Sequence, residues 1–326
     1  MTTRTETRQD VFAGIVARLS RQSVDKHFAA YEDIDWDAPD MAVDARDPRF
    51  CLSVDVLGAT DWYRALPEER RALVGLHRVA TAMQVGAEFE NLLQRGLLAY
   101  AYRLPPDAPE FRYLHHEVIE ESQHSMMFRE FVRRSRTDVR GMPRWAKAAA
   151  AAVVPLNRVF PELFFLFVLG GEDPVDLLQR RQLRAGIAHP LVERIMRIHV
   201  TEEARHLSFA RQYLKLHVPE LGWARRQVLS FAAPALLGVM ARLMLLPSPQ
   251  LVHRFGVPRR ARRQAWRNGG AALVRDSVGK PRRLCVELGL VHRPARALWR
   301  LLGIWSDEPA PGDGETTDAG RAPAAA

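Results

Sequence analysis

The feature that most constrains this chain is a glutamate and a histidine three residues apart, which occur twice as a pair. The two pairs are Glu121 with His124 and Glu203 with His206. One such pair is expected by chance in a chain of this composition. A further glutamate precedes each pair, Glu88 by 33 residues and Glu172 by 31 residues, counted to the glutamate of the pair. The repeated pattern E…ExxH predicts two similar pairs of helices.

Helical periodicity recurs along the chain, and the alternation that is typical of β-strands hardly occurs. Prolines separate the periodic segments from one another. We predict four long helices, at residues 68–102, 109–136, 155–185 and 190–217. Long helices joined by short connections are typical of a four-helix bundle. The predicted fold class is therefore all-α, a four-helix bundle with additional N- and C-terminal helices.

Composition divides the chain into three regions. Residues 1–66 are predicted to be an N-terminal extension, a short helix and an Asp-rich irregular stretch that packs on the bundle. Residues 67–306 are predicted to form the main domain, which contains the bundle and further C-terminal helices. Residues 307–326 are rich in Pro, Gly and Ala with few apolar side chains, which predicts a disordered tail.

The doubled pattern supplies the ligands that two metal ions require inside a helical bundle. Four carboxylates would balance the charge of two divalent ions, and carboxylate oxygen with imidazole suits iron or manganese. On a helix, a glutamate and a histidine three residues apart lie on one face, so that both can reach the same ion. Six residues are predicted to be metal ligands: Glu88, Glu121, His124, Glu172, Glu203 and His206.

Neighbouring residues leave the choice of some ligands open. Glu90 competes with Glu88, which is preferred because of its distance from the turn at Pro105. Glu120 and Glu202 are set aside because neither begins an ExxH sequence. Three other polar residues precede the first motif and are predicted to face solvent or to support the ligands from behind: His115, His116 and Glu117.

A third histidine lies one helical turn before the second motif. His199, Glu203 and His206 occupy positions i, i+4 and i+7 and therefore share one face of a helix. With the six residues above, this pattern resembles the aminoarene N-oxygenase family of AurF-like di-iron proteins, which belongs to the ferritin-like di-iron carboxylate proteins. The later sequences N-G-G-A-A-L-V-R-D-S and V-E-L-G-L are also similar to that family. The resemblance implies that His199 is a seventh metal ligand.

The resemblance also implies a function. We expect a ferritin-like homodimer in which each chain holds two iron or manganese ions and uses O2 as a co-substrate, with electrons from an external donor. The expected activity is monooxygenation of a small organic molecule, with the nitrogen of an (aryl)amine as the acceptor. Hydroxylation or desaturation at carbon, ferritin-like iron handling, and a docking protein with a relict metal site are the alternatives.

Small and apolar residues one turn from the predicted ligands indicate a substrate pocket. The predicted pocket residues are Thr81, Met83, Gln84, Ala87, Val175 and Leu178. Thr81 and Gln84 are the polar candidates among them, and none of the six is an obvious anchor for the carboxylate of an aminobenzoate. Arg78, Arg95 and Arg205 are the candidates for that contact, and the substrate is therefore less well defined than the metal site.

Cysteines and apolar segments bear on the compartment. The chain has two cysteines and no CxxC sequence, and no apolar signal segment follows its charged N-terminus, which predicts a cytoplasmic protein. Two apolar runs, at residues 148–171 and 231–246, contain prolines and charges and are predicted to be core helices. Peripheral membrane contact by the second run is a weaker alternative.

The net charge of +9 comes mainly from one region. Residues 254–300 contain 13 Lys and Arg against one Asp and one Glu. A basic stripe of this kind can bind phosphates. Aromatic residues are not interleaved with it in a nucleic-acid-binding motif, so a nucleic-acid partner is disfavoured.

Overall fold

The computed structural model describes residues 7–186 and 188–307, and these residues contain helices and no β-strand. The helices are α1 (Arg8–Asp25), α2 (Asp61–Arg64), α3 (Glu68–Ala101), α4 (Glu110–Ser135), α5 (Arg144–Leu156), α6 (Pro161–Ala185), α7 (Pro190–His217), α8 (Trp223–Leu245), α9 (Pro249–Phe255), α10 (Arg259–Ala265), α11 (Ala271–Ser277), α12 (Gly279–Glu287) and α13 (Arg293–Leu301). The predicted all-α class is confirmed. Of the predicted disordered tail, all but Asp307 lies outside the described residues.

Four long helices form the bundle. Helix α3 packs along α4, and α6 packs along α7, so each sequence repeat forms one helix pair. Contacts of α4 with α7 and of α3 with α6 join the two pairs. Three of the predicted bundle helices agree with α3, α4 and α7 to within one residue at each end.

The third predicted helix, at residues 155–185, begins later than predicted. Pro155 lies near the end of α5, and the bundle helix α6 begins at Pro161. Because proline has no N–H to leave unsatisfied and has a φ suited to a helix, it is favourable at the first position. The alanine-rich run before Pro155 therefore forms a helix of its own, which packs on α3 and α6.

The apolar core of the bundle lies in two layers. One layer is formed by the first half of α3, the second half of α4 and the first half of α7, with Leu76, Phe131 and Ile195 at its centre. The other layer is formed by the opposite halves of these helices and by α6, and it includes Phe165 and Phe209. Along both α4 and α7, the predicted metal ligands lie between the residues of one apolar layer and the residues of the other. They are therefore at the middle of the bundle.

The N-terminal extension covers one side of the bundle. Helix α1 begins with a capping box, in which Thr7 accepts a hydrogen bond from the backbone of Asp10 and the Asp10 side chain accepts one from Thr7. It packs on α4 and α7. The following irregular segment is held by Arg134 of α4, whose guanidinium donates to the carbonyl of Trp36.

The C-terminal helices cover the other side. Helix α8 packs on α6 and α13, and α11 and α12 also contact α6. Within the described residues, one helical stretch, Trp223–Phe255, is long and apolar enough to cross a membrane, with a mean hydropathy of 1.9. A core helix can be equally long and apolar, and 56% of this apolar window is buried inside the protein.

Candidate metal centre

Six of the seven predicted ligands lie together in the middle of the bundle. Each is at most 2% exposed. Helix α4 contributes Glu121 and His124, helix α6 contributes Glu172, and helix α7 contributes His199, Glu203 and His206. Burial of so many ionisable groups in one place requires a compensating charge.

Glu121 and Glu203 lie between the two motif histidines. Nδ1 of His124 is 3.2 Å from Glu121 Oε2 and 3.5 Å from Glu203 Oε1. Nδ1 of His206 is 3.1 Å from Glu121 Oε1 and 3.0 Å from Glu203 Oε1. Each glutamate therefore contacts both histidines, so each could ligate a metal ion held beside His124 or beside His206.

Glu88, the seventh predicted ligand, lies outside this cluster, and Glu90 takes its place. The Glu88 carboxylate is 2.8 Å from Lys147 Nζ and accepts a hydrogen bond from the backbone N–H of Met142. Glu90 is 1% exposed, and its Oε1 is 3.4 Å from His199 Nε2. Residues two apart point to nearly opposite sides of a helix, so Glu88 and Glu90 cannot both face the centre.

A second carboxylate orients each motif histidine from behind. Glu202 Oε2 is 2.9 Å from Nε2 of His124, and Glu120 Oε2 is 2.7 Å from Nε2 of His206. Because an ionised carboxylate only accepts hydrogen bonds, Nε2 is the donor in both contacts. When the ring is neutral, its Nδ1 lone pair then points towards Glu121 and Glu203 and is available to a metal ion.

The pairing is crossed between the helix pairs. Glu120 on α4 holds a histidine of α7, and Glu202 on α7 holds a histidine of α4. Arg205 lies beside both carboxylates, 2.8 Å from Glu120 and 3.6 Å from Glu202. Burial alone would raise the pKa of Glu120, but its contacts with His206 and Arg205 outweigh burial and lower the pKa to about 2. Glu120 is therefore ionised.

His199 lies within reach of three inner carboxylates. Its Nε2 is 3.4 Å from Glu90, 3.9 Å from Glu172 and 3.9 Å from Glu203. Its Nδ1 is 3.0 Å from Oε1 of Gln179, an amide oxygen that can only accept, so Nδ1 carries the proton. Burial, together with the nearby charge of His124, holds the pKa of His199 well below its usual value. The neutral ring points its free nitrogen into the cluster.

Glu117, which was predicted to be solvated or to support a ligand, is buried at the edge of the centre. It lies close to Glu121 and His206, and its Oε2 has no hydrogen-bond partner. Burial, reinforced by the neighbouring carboxylates, raises its pKa to about 8. Glu117 lies four residues before Glu121, and His199 lies four residues before Glu203. Each motif helix therefore carries one more ionisable residue about one turn before its glutamate.

The chemistry of these residues fits a pair of divalent cations. Buried carboxylate oxygens without a hydrogen-bond partner occur in Glu90, Glu172 and Glu203. Burial, and next the repulsion between carboxylates, raises the pKa of Glu90 and Glu172 well above the usual value. Two divalent ions would supply the missing positive charge and coordinate the unpartnered oxygens.

A cavity of about 1540 Å³ leads to this centre. Glu90, Glu172 and His199 are part of its wall. Four of the predicted pocket residues also line it: Thr81, Met83, Val175 and Leu178. The other two, Gln84 and Ala87, do not. Gln84 donates a hydrogen bond to Glu88, and Ala87 lines a smaller cavity beside Glu88, so both residues lie near Glu88 and not in the wall of the large cavity.

None of the three arginines considered as carboxylate anchors is free to hold a substrate at the centre. Arg78 lines the cavity, but it is paired with Asp55 at 3.1 Å. Arg205 is paired with Glu120, and Arg95 lines the smaller cavity. A carboxylate-bearing substrate would need other contacts.

Comparison with known proteins identifies the family. The sequence profile of the family P-aminobenzoate N-oxygenase AurF matches residues 10–289. The chain belongs to this family. Two uncharacterized relatives, Mb0909 of Mycobacterium bovis and Rv0885 of Mycobacterium tuberculosis, are each 37% identical over 297 residues, which cover 90% of this chain and 87% of the relative. No solved structure matches the chain.

Membership of the AurF family gives the helices and the centre a common explanation. The fold is the ferritin-like helical fold, and the family is one of di-iron oxygenases. In the described part of the chain, two neighbouring buried clusters could hold metal: one is formed by Glu90, His124, His199 and Glu203, and the other by Glu117, Glu121 and His206. The sequence contained a signal for Glu120 and Glu202, because both motif helices contain E-E-x-x-H and not only ExxH. Gln179 had no comparable signal.

Proposed function

We propose that this AurF-family protein is an O2-dependent di-iron monooxygenase that oxygenates a small organic substrate, with the nitrogen of an (aryl)amine as the acceptor. The observation that carries the proposal is the continuity of the large cavity with the metal centre. Glu90, Glu172 and His199 are at once candidate ligands and part of the cavity wall. A substrate in the cavity could therefore approach the metal ions directly, which an iron store does not require.

The proposed ligands are the seven side chains that converge in the bundle, Glu90, Glu121, His124, Glu172, His199, Glu203 and His206. Bound iron would supply the electrons that activate O2. Glu120 and Glu202 would keep the motif histidines in the tautomer that presents Nδ1 to the metal. Phe89 and Phe128, which line the cavity, would exclude water from its inner part.

Cofactors and partners follow from this proposal. Each chain would hold two iron ions, although the same ligands also suit manganese. Incorporation of one oxygen atom of O2 into a substrate, with release of the other as water, needs two electrons from an external donor. We also propose a cytoplasmic homodimer, on the basis of the family resemblance and the cysteine content.

The apolar cavity favours a second candidate activity. Its wall includes Met83, Val175 and Leu178, side chains that suit a carbon-rich substrate rather than a polar one. Hydroxylation or desaturation at a C–H bond is therefore the alternative reaction of the same centre. The two reactions differ in the group of the substrate that is presented to the metal.

The proposal can be tested with iron-loaded, chemically reduced protein, isotope-labelled O2 and a panel of arylamines and matched arenes without the amine. Mass spectrometry should find labelled hydroxylamine or nitro products from the amines. Labelled alcohols from the arenes would instead favour the second candidate. Consumption of O2 with oxidation of iron, and with neither a labelled nor a desaturated product from any compound, would contradict both and favour iron handling. Glu172→Gln is the inactive control, since it alters one proposed ligand.

A further inference from the structure

The cavity is larger than a single-ring substrate needs. Its volume of about 1540 Å³ exceeds the roughly 300–1,000 Å³ that is usual for pockets filled by drug-sized ligands. Besides α3 and α6, its wall is formed by the end of α8, by α9 and by residues 138–147. The reactive end of a substrate at the metal centre would therefore leave most of the cavity to be filled by another part of the molecule.

Much of the cavity wall is apolar, and its side chains include Val79, Met142, Trp145, Val239, Leu243 and Leu246. Two of the charged groups in the wall are already satisfied by the protein. Arg242 donates to the carbonyls of Gly238 and Leu302, and Lys147 is paired with Glu88. A bound molecule would meet hydrocarbon at these apolar side chains.

Three arginines at the outer part of the cavity are different. Arg140, Arg144 and Arg254 are exposed, they line the cavity, and none of them forms an ion pair or a side-chain hydrogen bond in the described part of the chain. They come from three separate segments, the loop after α4, the start of α5 and the end of α9. Of the described carboxylates in the cavity wall, Glu90 and Glu172 belong to the candidate metal centre and Asp55 is paired with Arg78. Asp138 therefore remains to oppose these three positive charges.

The loop that carries Arg140 is fixed in place from both sides. The backbone N–H of Arg140 donates to Oε1 of Gln250, and Nε2 of Gln250 donates to the carbonyl of Asp138. On the other side, the backbone N–H of Met142 donates to Glu88. Gly141, between these contacts, has φ of +26°, and a β-carbon there would lie 2.3 Å from the Glu88 carboxylate. The loop is thus held as part of the cavity wall.

We propose that the cavity binds an organic anion with a long apolar body, of the class of medium- or long-chain carboxylates. The acid group would lie at Arg140, Arg144 and Arg254, the apolar body would lie against the apolar side chains of the wall, and the far end would reach the metal centre. This substrate class rests on the proposed oxygenase function, because it assumes that the inner end of the cavity is where the reaction occurs.

Binding can be measured without the reaction. Protein loaded with zinc, which is redox-inert, is titrated with dodecanoate, with dodecanol as the uncharged match and with benzoate as the short match. Dodecanoate should bind at least tenfold more tightly than either match. Arg140→Ala and Arg144→Ala should each weaken dodecanoate binding about fivefold and leave dodecanol unchanged, as expected for the loss of one partly exposed ionic contact. Asp138→Asn should strengthen it.

Arg158→Ala is the matched control, because Arg158 is exposed just after α5 and does not line the cavity. Equal affinity for dodecanoate and dodecanol, or unchanged affinity in both arginine variants, would overturn the proposed acid contact. Tighter binding of benzoate than of dodecanoate would overturn the long apolar body. Because zinc supports no oxygenation, these outcomes are independent of turnover. If dodecanoate binds as expected to the zinc-loaded protein, but the iron-loaded, reduced protein forms no oxidised product in the amine and arene panel, the oxygenase proposal alone is contradicted.

Discussion

At the scale of single residues, the centre depends on carboxylates that do not face the metal position. Glu202 and Glu120 each accept a hydrogen bond from a histidine of the opposite helix pair. These contacts fix the ring orientation and connect α4 to α7. The charge of Arg205 keeps the two carboxylates paired in a buried site.

Glu202→Gln tests this supporting role. The amide can still accept the hydrogen bond of His124 but lacks the charge that makes the ring a better ligand. We expect about 10- to 100-fold weaker metal affinity, as is typical of such outer contacts, with full loading at high metal concentration. Competition with a coloured chelator measures the affinity. Glu193→Gln, on the same helix and paired only with Arg197, should leave the affinity unchanged; an equal affinity in the two variants would contradict the supporting role.

His199→Ala tests the third histidine. The remaining six ligands should retain both metal ions, but one ion loses an imidazole, so the visible absorption bands of the cobalt-substituted protein should shift in position and intensity. His253→Ala removes an exposed histidine of the cavity wall and should leave the bands in place. Identical bands in wild type and His199→Ala, at full metal loading, would show that His199 is not a ligand.

The ligand chemistry could be read from the sequence, but the register of one helix could not. The motif spacing fixed Glu121, His124, Glu203 and His206, because both members of each pair had to share a helix face. Glu172 and His199 also lie where they were predicted. No such constraint separated Glu88 from Glu90, because neither of these α3 residues is followed by a histidine three residues later. The difference depends on the loop that follows α4 and on helix α5, because the backbone of Met142 in the loop and Lys147 of α5 bind Glu88, and the sequence gives no sign of these contacts.

At the scale of elements, a cluster of charges holds the N-terminal extension on the bundle. Glu130 of α4 accepts hydrogen bonds from Arg133 and Arg134. Arg134 in turn donates to the carbonyl of Trp36 and to Asp37. Hydrogen bonds from Arg133, with Arg134 also contributing, lower the pKa of Glu130 to about 2. The ionised carboxylate therefore stabilises the folded state.

Glu130→Gln should lower the free energy of unfolding by about 1 kcal/mol near neutral pH, since the arginines are partly exposed and solvent screens the pair. The folded pKa lies below the unfolded value of about 4.3, so this contribution is present above pH 4.3 and is lost as the pH falls towards 2. Urea unfolding at several pH values measures the difference between wild type and variant. Asp37→Asn, at a 90% exposed partner of Arg134, is the control and should change stability less; a difference that does not shrink in acid would contradict the assignment.

Proline positions account for how well the helix ends were predicted. Pro190 begins α7, and the prolines at 105 and 106 follow the end of α3, where a missing N–H and a fixed φ oppose further helix. The same reasoning misplaced α6, because both Pro155 and Pro161 can begin a helix, and only the packing of α5 against α3 and α6 distinguishes them.

At the scale of the whole molecule, a polar layer separates two apolar layers of the core. Without metal, this layer buries four inner carboxylates that face histidines and one another, which is unfavourable. We therefore expect metal binding to contribute to folding as well as to the proposed chemistry. The fold class and this layer follow from helical periodicity and motif spacing. The cavity does not, because its wall combines α3, α6, α8, α9 and a loop, segments far apart in the sequence.

The central claim is that the folded chain holds two metal ions and that Glu90, rather than Glu88, is a ligand. Elemental analysis of wild type, Glu90→Gln and Glu88→Gln, loaded with iron or manganese and freed of unbound metal, tests both parts. Wild type and Glu88→Gln should each retain about two ions per chain, and Glu90→Gln about one or fewer, because the loss of an anionic ligand leaves one ion under-coordinated. Well under one ion per chain in the wild type, or a loss in Glu88→Gln that equals the loss in Glu90→Gln, would contradict the account.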